Sequence, residues 1–309
     1  MKAIIFGITG QDGTFLANFL LKKGFQIVGT TRKSNLNSSN NIKIYTVDVL
    51  SFTQIFDLIK KESPDFIYNL SGQTSVGKSF VDPLETYLTI VNTTLYILES
   101  IRLINTDIKY FNASSSECFG ISKLEILDEE SPFNPVSPYS TAKVMAHNLA
   151  NNYKNTYGLF VSTAIMSNHE SNLRSTDFIS MKIVESAYNI ANGFQKYFEV
   201  GDITIIRDWG WAEDFIEAMY LMMIQKDPDD FILATGMSIS LEEFINYTFN
   251  KFNLDYKKYI RISQSFARKN EVQKVVLSPQ KSLDKLGWKA NNSVHEVIDK
   301  LIDYRRKKN

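Results

Sequence analysis

Along the first 165 residues, continuous apolar runs alternate with stretches in which apolar residues recur every three or four positions. Ala3-Ile4-Ile5-Phe6 is such a run and predicts a buried strand. Thr14 to Gly24 has helical spacing and a terminal glycine stop. Gln26 to Thr31 and Ile42 to Val47 predict a second and a third strand, and Ile55, Leu58 and Ile59 a helix ending near Pro64. Asp65 to Leu70 predicts a fourth strand and about 83–103 one long helix. Tyr110 to Ser114 predicts a fifth strand, and Leu159 to Ile165 a sixth, after a helix that starts near Ser140. Strands alternating with helices imply parallel β-α-β units, so the fold class is α/β with a doubly wound parallel sheet of the Rossmann type. Beyond residue 165 the alternation loosens, and 166–202 with 236–309 predict a smaller mixed α/β domain. Trp211 to Gln225 (helix) and Phe231 to Thr235 (strand) predict a return to the main sheet, so that 1–165 is completed by 203–235.

Between the first strand and the first helix stands Gly7-Ile8-Thr9-Gly10-Gln11-Asp12-Gly13. Strand, glycine turn and helix in that order make a phosphate cradle: the glycines let the backbone approach a pyrophosphate, and the helix N-terminus holds its charge. The spacing is G-x-x-G-x-x-G, and the bland alternative is a glycine-rich turn that binds nothing. Gly7, Thr9, Gly10, Gln11, Asp12 and Gly13 are the candidates for a dinucleotide. In such sheets ligands sit beyond the C-terminal strand ends, where Leu70 and Ser71, Ser114 to Glu117, and Asn168 also fall.

The second strand ends Thr30-Thr31-Arg32-Lys33, without the carboxylate that holds the adenosine ribose in NAD sites. Arg32 suits a 2′-phosphate instead, which favours NADP(H); the alternative is a solvated basic turn. Asp48, with Val49 beside it, is a candidate for the adenine end, or a helix N-cap. Tyr139 and Lys143 are four apart near the start of a helix, hence on one face. A phenol becomes a useful base only when a nearby ammonium and a cationic nicotinamide lower its pKa.

Composition narrows the classes. Lys+Arg and Asp+Glu both number 34 among 309 residues, which argues against a general nucleic-acid partner. No apolar run approaches a membrane span, and no signal-peptide pattern opens the chain. The single Cys118 allows no internal disulfide, and a cytoplasmic location is expected. His147, His169 and His295 form no metal-ligand pattern with Cys118. Trp209 and Trp211 are expected in the core.

Six stretches, in order, resemble the extended short-chain dehydrogenases/reductases and, among them, the GDP-mannose 4,6-dehydratases. They are Gly7 to Gly13, Tyr68 to Leu70, Ala113 to Gly120, Ser137 to Lys143, Asn168 to Ser171 and Arg207 to Met219. The resemblance implies that Tyr139 takes the proton of the sugar 4-hydroxyl while hydride passes from C4 to NADP⁺. Ser115 would hydrogen-bond that oxygen, and Lys143 would hold the nicotinamide ribose. Glu117 would remove the C5 proton and assist loss of the 6-hydroxyl, after which the hydride returns to C6. Tyr139, Lys143 and Asn168 would also touch the cofactor. Asn168, Lys182, Arg207 and Arg268 would line a nucleotide-sugar site in the smaller domain, with Glu271 near the guanosine end. For each charged residue the alternative is a solvated surface group.

The chain departs from that family at three places. Asn172-Leu173-Arg174-Ser175 stands where the family has Pro-Arg-Arg-Gly, and Arg268-Lys269 where it has Arg-Pro. The stretch between the second and third strands is shorter, and in the family that loop reaches a neighbouring subunit's cofactor. A related GDP-sugar such as a GDP-heptose stays open as substrate, and a homodimer is expected, with a tetramer open. The helices near 83–103 and 140–157 are the candidates for its interface, or simply pack on the sheet. A reductase or epimerase of a nucleotide 4-keto-sugar, and a non-catalytic nucleotide-binding protein, are the competing readings.

Overall fold

The computed structural model describes residues 1–32, 41–266 and 270–308. In chain order the first half carries β1 (Lys2–Phe6), α1 (Gln11–Lys22), β2 (Gln26–Thr31), β3 (Ile42–Thr46), α2 (Phe52–Glu62), β4 (Phe66–Asn69), α3 (Val76–Val81), α4 (Pro83–Tyr87), α5 (Thr93–Ile104), β5 (Lys109–Ser115), α6 (Pro138–Tyr157) and β6 (Val161–Met166). The second half carries β7 (Asn168–Glu170), α7 (Ile179–Ala191), β8 (Phe198–Val200), β9 (Ile206–Trp211), α8 (Ala212–Met223), β10 (Phe231–Leu233), β11 (Ser238–Ser240), α9 (Leu241–Asn250), α10 (Tyr256–Tyr259), β12 (Ile260–Ile262), α11 (Gln280–Leu286) and α12 (Val294–Lys307).

Seven strands form one parallel sheet in the order β10-β6-β5-β4-β1-β2-β3. Chain order reverses at β1, between β4 and β2, which opens a crevice beyond the strand ends there. The period-two alternation of a strand divides the core. Ala3 and Ile5 face one layer with Leu16 and Leu20 of α1 and Phe215, Met219 and Met222 of α8. Ile4 and Phe6 face the other, with Ile55 and Ile59 of α2 and Ile97 and Ile101 of α5. Each of the leucine, isoleucine, methionine and phenylalanine side chains contributes about 1.5–3 kcal/mol on full burial.

The single helix expected over 83–103 is interrupted. α4 starts at Pro83, capped by Asp82, and runs into a π-helical stretch, Leu88–Asn92, before α5. Thr86, Thr89 and Thr94 turn their hydroxyls back onto the carbonyls of Asp82, Glu85 and Ile90 at 2.7–2.9 Å. Such back-bonds compete with the helical ladder and loosen it. Apolar periodicity does not register them.

A three-stranded sheet, β11-β9-β7, and a two-stranded one, β12-β8, build the smaller layer. Trp209, Trp211, Phe244 and Phe249 fill its core with α7, α9 and α12. The return to the main sheet, expected from 203, begins at Ala212 instead. β9 pairs with β7 and β11, so 206–211 belongs to the smaller sheet, whereas α8 and β10 rejoin the large one. Part of the C-terminal segment also packs on the main layer, where Trp288 Nε1 donates to Asp214 O at 3.0 Å.

Candidate active site

The glycine turn leaves β1 with Gly7 at φ +84°, a left-handed backbone that favours glycine. A Cβ there would lie 2.6 Å from Leu70 O, and one at Gly13 would lie 2.3 Å from Gly7 O. The Gly10 amide closes the turn on Gly7 O at 3.0 Å, and Thr9 is exposed at its tip. Gly10 caps α1 without a side-chain acceptor, so the first-turn amides have room for an anion. This cradle, next to Leu70 and Ser71, fits the pyrophosphate of a dinucleotide. Ser71 is oriented by Asn69, whose Oδ1 accepts from its hydroxyl at 2.6 Å.

Gln11 and Asp12 reach across to the strand after β6. Asp12 Oδ2 lies 2.9 Å from His169 Nε2, Ser171 Oγ donates to Gln11 Oε1 at 2.7 Å, and Gln11 Nε2 donates to His169 O at 3.1 Å. His169 Nδ1 faces Ser167 O at 2.8 Å. Both ring nitrogens therefore meet oxygens that have no hydrogen to give, which calls for an imidazolium. Burial opposes that charge, but Asp12 outweighs it and raises the His169 pKa. Burial likewise pushes the Asp12 carboxyl up, and His169 and Gln11 more than offset it, so its pKa is lowered. Phe215 stacks on the imidazole at 4.8 Å.

At the end of β2, Arg32 is 77% exposed and pairs with Glu85 at 3.6 Å. Glu85 also faces Lys78 at 3.8 Å. A carboxylate absent from the strand thus arrives from α4, a contact that no local pattern announces. Asp48 is exposed and accepts the Leu50 amide at 3.0 Å. Ser51, not Asp48, caps α2. Val49, half-buried, accepts from Thr93 Oγ1 at 3.3 Å.

Ser137 and Ser140 form a capping box that starts α6 with Pro138 in its first turn. That start puts Tyr139 and Lys143 on one face, toward the end of β5. Ser115 Oγ accepts the Glu117 amide at 3.3 Å and is hydrogen-bonded to Tyr139. Lys143 Nζ donates to Ala113 O at 2.7 Å and sits 5.8 Å from the Tyr139 ring centroid. Burial brings the Lys143 ammonium down to about 8. The expected lowering of the tyrosine is reversed in the protein alone: burial raises its pKa, and the Ser115 hydrogen bond does not compensate. Glu117 Oε1 lies 3.6 Å from Arg207 Nε, and Arg207 Nη2 donates to Glu271 Oε1 at 3.3 Å. Cys118 is buried, and desolvation pushes its thiol up to about 11, which does not suit a nucleophile.

A cavity of about 1170 Å³ joins many of these groups, though of the glycine turn it touches Asp12 and not Gly7, Thr9, Gly10, Gln11 or Gly13. Its lining brings together Asp12, Leu70, Ser71, Ser115, Glu117, Tyr139, Lys143, Asn168, Lys182, Arg207 and Glu271, from both layers of the molecule. Lys182 is exposed on α7, and Glu271 stands against Arg207 rather than apart from the reacting end. Arg32, Asp48 and Val49 lie at the ends of β2 and β3, off this lining, and Arg268 lies outside the described residues. His169, Glu170 and Phe178, to which the sequence reading gives no role, also line it, as does Arg174, which that reading names among the cations that suit a nucleoside diphosphate. Arg174 Nε faces Glu170 at 3.1 Å, an ion pair without hydrogen-bond alignment, and its guanidinium lies 3.5 Å from the Phe178 ring centroid.

A family model described as GDP-mannose 4,6 dehydratase matches residues 4–301. The chain belongs to the GDP-mannose 4,6-dehydratase family. It is 36% identical to GDP-mannose 4,6 dehydratase 1 of Arabidopsis thaliana, over 97% of this chain and 88% of that one. It is 33% identical to the GDP-mannose 4,6-dehydratase of Vibrio cholerae, over 97% of this chain and 92% of the relative. Among solved structures, DesIV, a dTDP-glucose 4,6-dehydratase from Streptomyces venezuelae with NAD and TYD bound, superposes with a TM-score of 0.89 at 18% identity, covering 100% of this chain and 98% of that one. A UDP-glucose 4-epimerase from Thermotoga maritima with UDP-glucose gives 0.88 at 20% identity, with 99% of each chain covered. At that identity the likeness speaks for the fold alone: a family member built on the fold of nucleotide-sugar dehydratases and epimerases. Among the described residues, no helix is long and apolar enough to cross a membrane.

Proposed function

We propose that this chain is a 4,6-dehydratase of GDP-mannose or a related GDP-sugar such as a GDP-heptose, working with NADP that is regenerated each turnover. One observation carries the reading. A second acid/base group, Glu117, lines the same cavity as Ser115, Tyr139 and Lys143. Oxidation or reduction at one carbon has no use for it, whereas elimination beside a ketone requires it.

The glycine cradle, Leu70, Ser71 and Lys143 would hold the dinucleotide, with Asn168 bordering both ligands, and Arg32 would meet the 2′-phosphate in place of Glu85. When bound, the dinucleotide would supply an acceptor for the C4 hydrogen as hydride, a donor of it to C6, and a positive charge that makes the neighbouring phenol more acidic. Tyr139 takes the proton of the 4-hydroxyl, and Ser115 holds that oxygen in line. The C4 ketone acidifies C5–H. Glu117 accepts that proton, the C5–H electron pair forms the C5–C6 double bond, and the C6–O bond breaks. The proton on Glu117 then passes to the departing hydroxyl, which leaves as water; as the hydride is returned to C6, C5 takes up a proton from water by way of Glu117, and Tyr139 gives up the proton it took from the 4-hydroxyl. Lys182, Arg207 and Arg268 would meet the diphosphate, and Glu271 orders Arg207. A cytoplasmic homodimer is part of the reading, supported by the exposed Leu103 and Tyr157 on the outer face of α5 and α6.

Mass spectrometry of GDP-mannose incubated with the protein and catalytic NADP⁺ tests the reading. It predicts a product lighter by one water, no accumulated NADPH, and loss of that product in Glu117→Gln. Net consumption of NADPH on a 4-keto-sugar, with no dehydration, would replace the reading with a reductase.

A further inference from the structure

The stretch Leu88–Asn92, between α4 and α5, is π-helical, a widened turn that recurs at functional sites. Its Ile90 is buried and forms one apolar cluster with Tyr139, Ala142 and Ala146 of α6. Those three stand at i, i+3 and i+7, hence on one face of α6, and the two alanines leave a shallow seat there for Ile90. On its other side Ile90 meets the loop after β4. Gly72 stands at φ +103°, and a Cβ there would lie 3.2 Å from Ile90 Cγ1. The Ile90 carbonyl is tied to the same loop by a chain of hydrogen bonds. It accepts from Thr94 Oγ1 at 2.9 Å, Thr94 Oγ1 accepts from Asn69 Nδ2 at 3.4 Å, and Asn69 Oδ1 accepts from Ser71 Oγ at 2.6 Å. Asn69 and Thr94 are both buried, where such bonds are little weakened by water. Leu70 and Ser71 of this loop line the same cavity as Tyr139.

We infer that Ile90 is a positioning residue, which fixes the Tyr139 phenol against the loop that would hold the dinucleotide. The inference rests on the dehydratase reading, which makes Tyr139 the proton acceptor and Leu70 and Ser71 part of the dinucleotide wall. In that reaction C4 gives up hydride on one side while its hydroxyl gives up a proton on the other. The two acceptors must stand at one fixed separation, and that separation is set by what lies between the loop and α6. Ile90 lies there, packed on α6 through its side chain and joined to the loop through both side chain and carbonyl. The diphosphate and nucleoside are gripped elsewhere in the cavity. Loosening Ile90 therefore spares substrate binding and slows the reaction.

The test compares Ile90→Ala with Ile97→Ala, which empties a buried place on α5 that faces β1 instead. Both are assayed on GDP-mannose with saturating NADP⁺, per mole of folded protein. Misplacement by about 1 Å can cost about 100-fold, so kcat should fall roughly 10–100-fold in Ile90→Ala, with KM changed less than about twofold. In Ile97→Ala kcat should hold near the parent value. Ile90→Val, which keeps most of the side chain, should recover most of the loss. Thr94→Val keeps the shape and removes the hydroxyl that holds the Ile90 carbonyl; it is the milder probe and should also lower kcat with KM unchanged. Tyrosine ¹³Cζ NMR reads the phenol without turnover, its Tyr139 signal assigned by loss in Tyr139→Phe. That signal should move in Ile90→Ala and Thr94→Val and stay in place in Ile97→Ala. Equal losses of kcat in Ile90→Ala and Ile97→Ala, a rise in KM alone, or an unmoved Tyr139 signal would overturn the positioning role while the dehydratase reading stands. Absence of dehydration by the parent protein would remove both.

Discussion

Asp12→Asn is the sharpest probe of how the glycine turn is held. The substitution keeps the shape of the side chain and removes its charge from His169 Nε2, 2.9 Å away. A hydrogen bond to a charged group contributes about 1.5–3 kcal/mol and a neutral one about 0.5–1.5, so the loss is roughly 1–2 kcal/mol. For a chain of this size that corresponds to about 1.5–3 °C in Tm. The pH dependence follows from the two shifts. The Asp12 pKa is lowered, so its contribution is present above its ordinary 3.8 and is lost as the pH falls through the folded value. The His169 pKa is raised, so its contribution is present below 6.5 and is lost as the pH rises through the folded value. The gap between parent and variant is therefore widest between about pH 4 and 6.5 and narrows on the alkaline side. Differential scanning fluorimetry at one scan rate, at pH 5 and again at pH 9, measures it. An equal gap at both pH values would refute the imidazolium–carboxylate clamp.

Three further outcomes follow from the same geometry. Gly13→Ala drives a Cβ against the backbone at Gly7 O and Ile8 Cα, at 2.3 and 2.7 Å. It should cost about 1–3 kcal/mol and weaken dinucleotide binding more than tenfold by calorimetry, while Gly24→Ala, which meets nothing within 4 Å but is strained at φ +82°, should lower stability and leave binding unchanged. Glu85→Gln frees Arg32, so the ratio of NADP⁺ to NAD⁺ affinity should rise by up to about fivefold, the reach of an exposed ion pair; an equal change for both cofactors would separate Glu85 from the 2′-phosphate. Lys143 should titrate near 8 by side-chain ¹⁵N NMR, well below the surface lysines. Because its folded value is depressed, this group makes the fold more stable as the pH rises from 8 towards 10.5.

What the sequence discloses and what it hides divide along a physical line. The central strands of the main sheet, such as β1 and β4, are legible because they are apolar runs buried on both faces, as Ile4 and Ile5 are, whereas β3 at the sheet edge has no buried residue. The glycine turn and the Tyr139–Lys143 pair are legible because their chemistry lies within one turn of chain. The break between α4 and α5 is not, because the threonine back-bonds that loosen it leave the apolar period intact. The link from Asp12 to His169 spans 157 positions, and that from Arg207 to Glu271 spans 64. Only the folded chain brings those partners together. Glu85 is hidden for the same reason: the end of β2 lacks a carboxylate, and a helix from elsewhere supplies one.

The central claim is that one site oxidises C4, removes water across C5 and C6, and returns the same hydrogen to C6. GDP-mannose carrying deuterium at C4 tests it directly, with NADP⁺ in catalytic amount and the product read by NMR and mass spectrometry. The account predicts a 4-keto product that lacks one water and carries the deuterium at C6. Deuterium that accumulates on the reduced cofactor, or stays at C4 of an unchanged sugar, would contradict it.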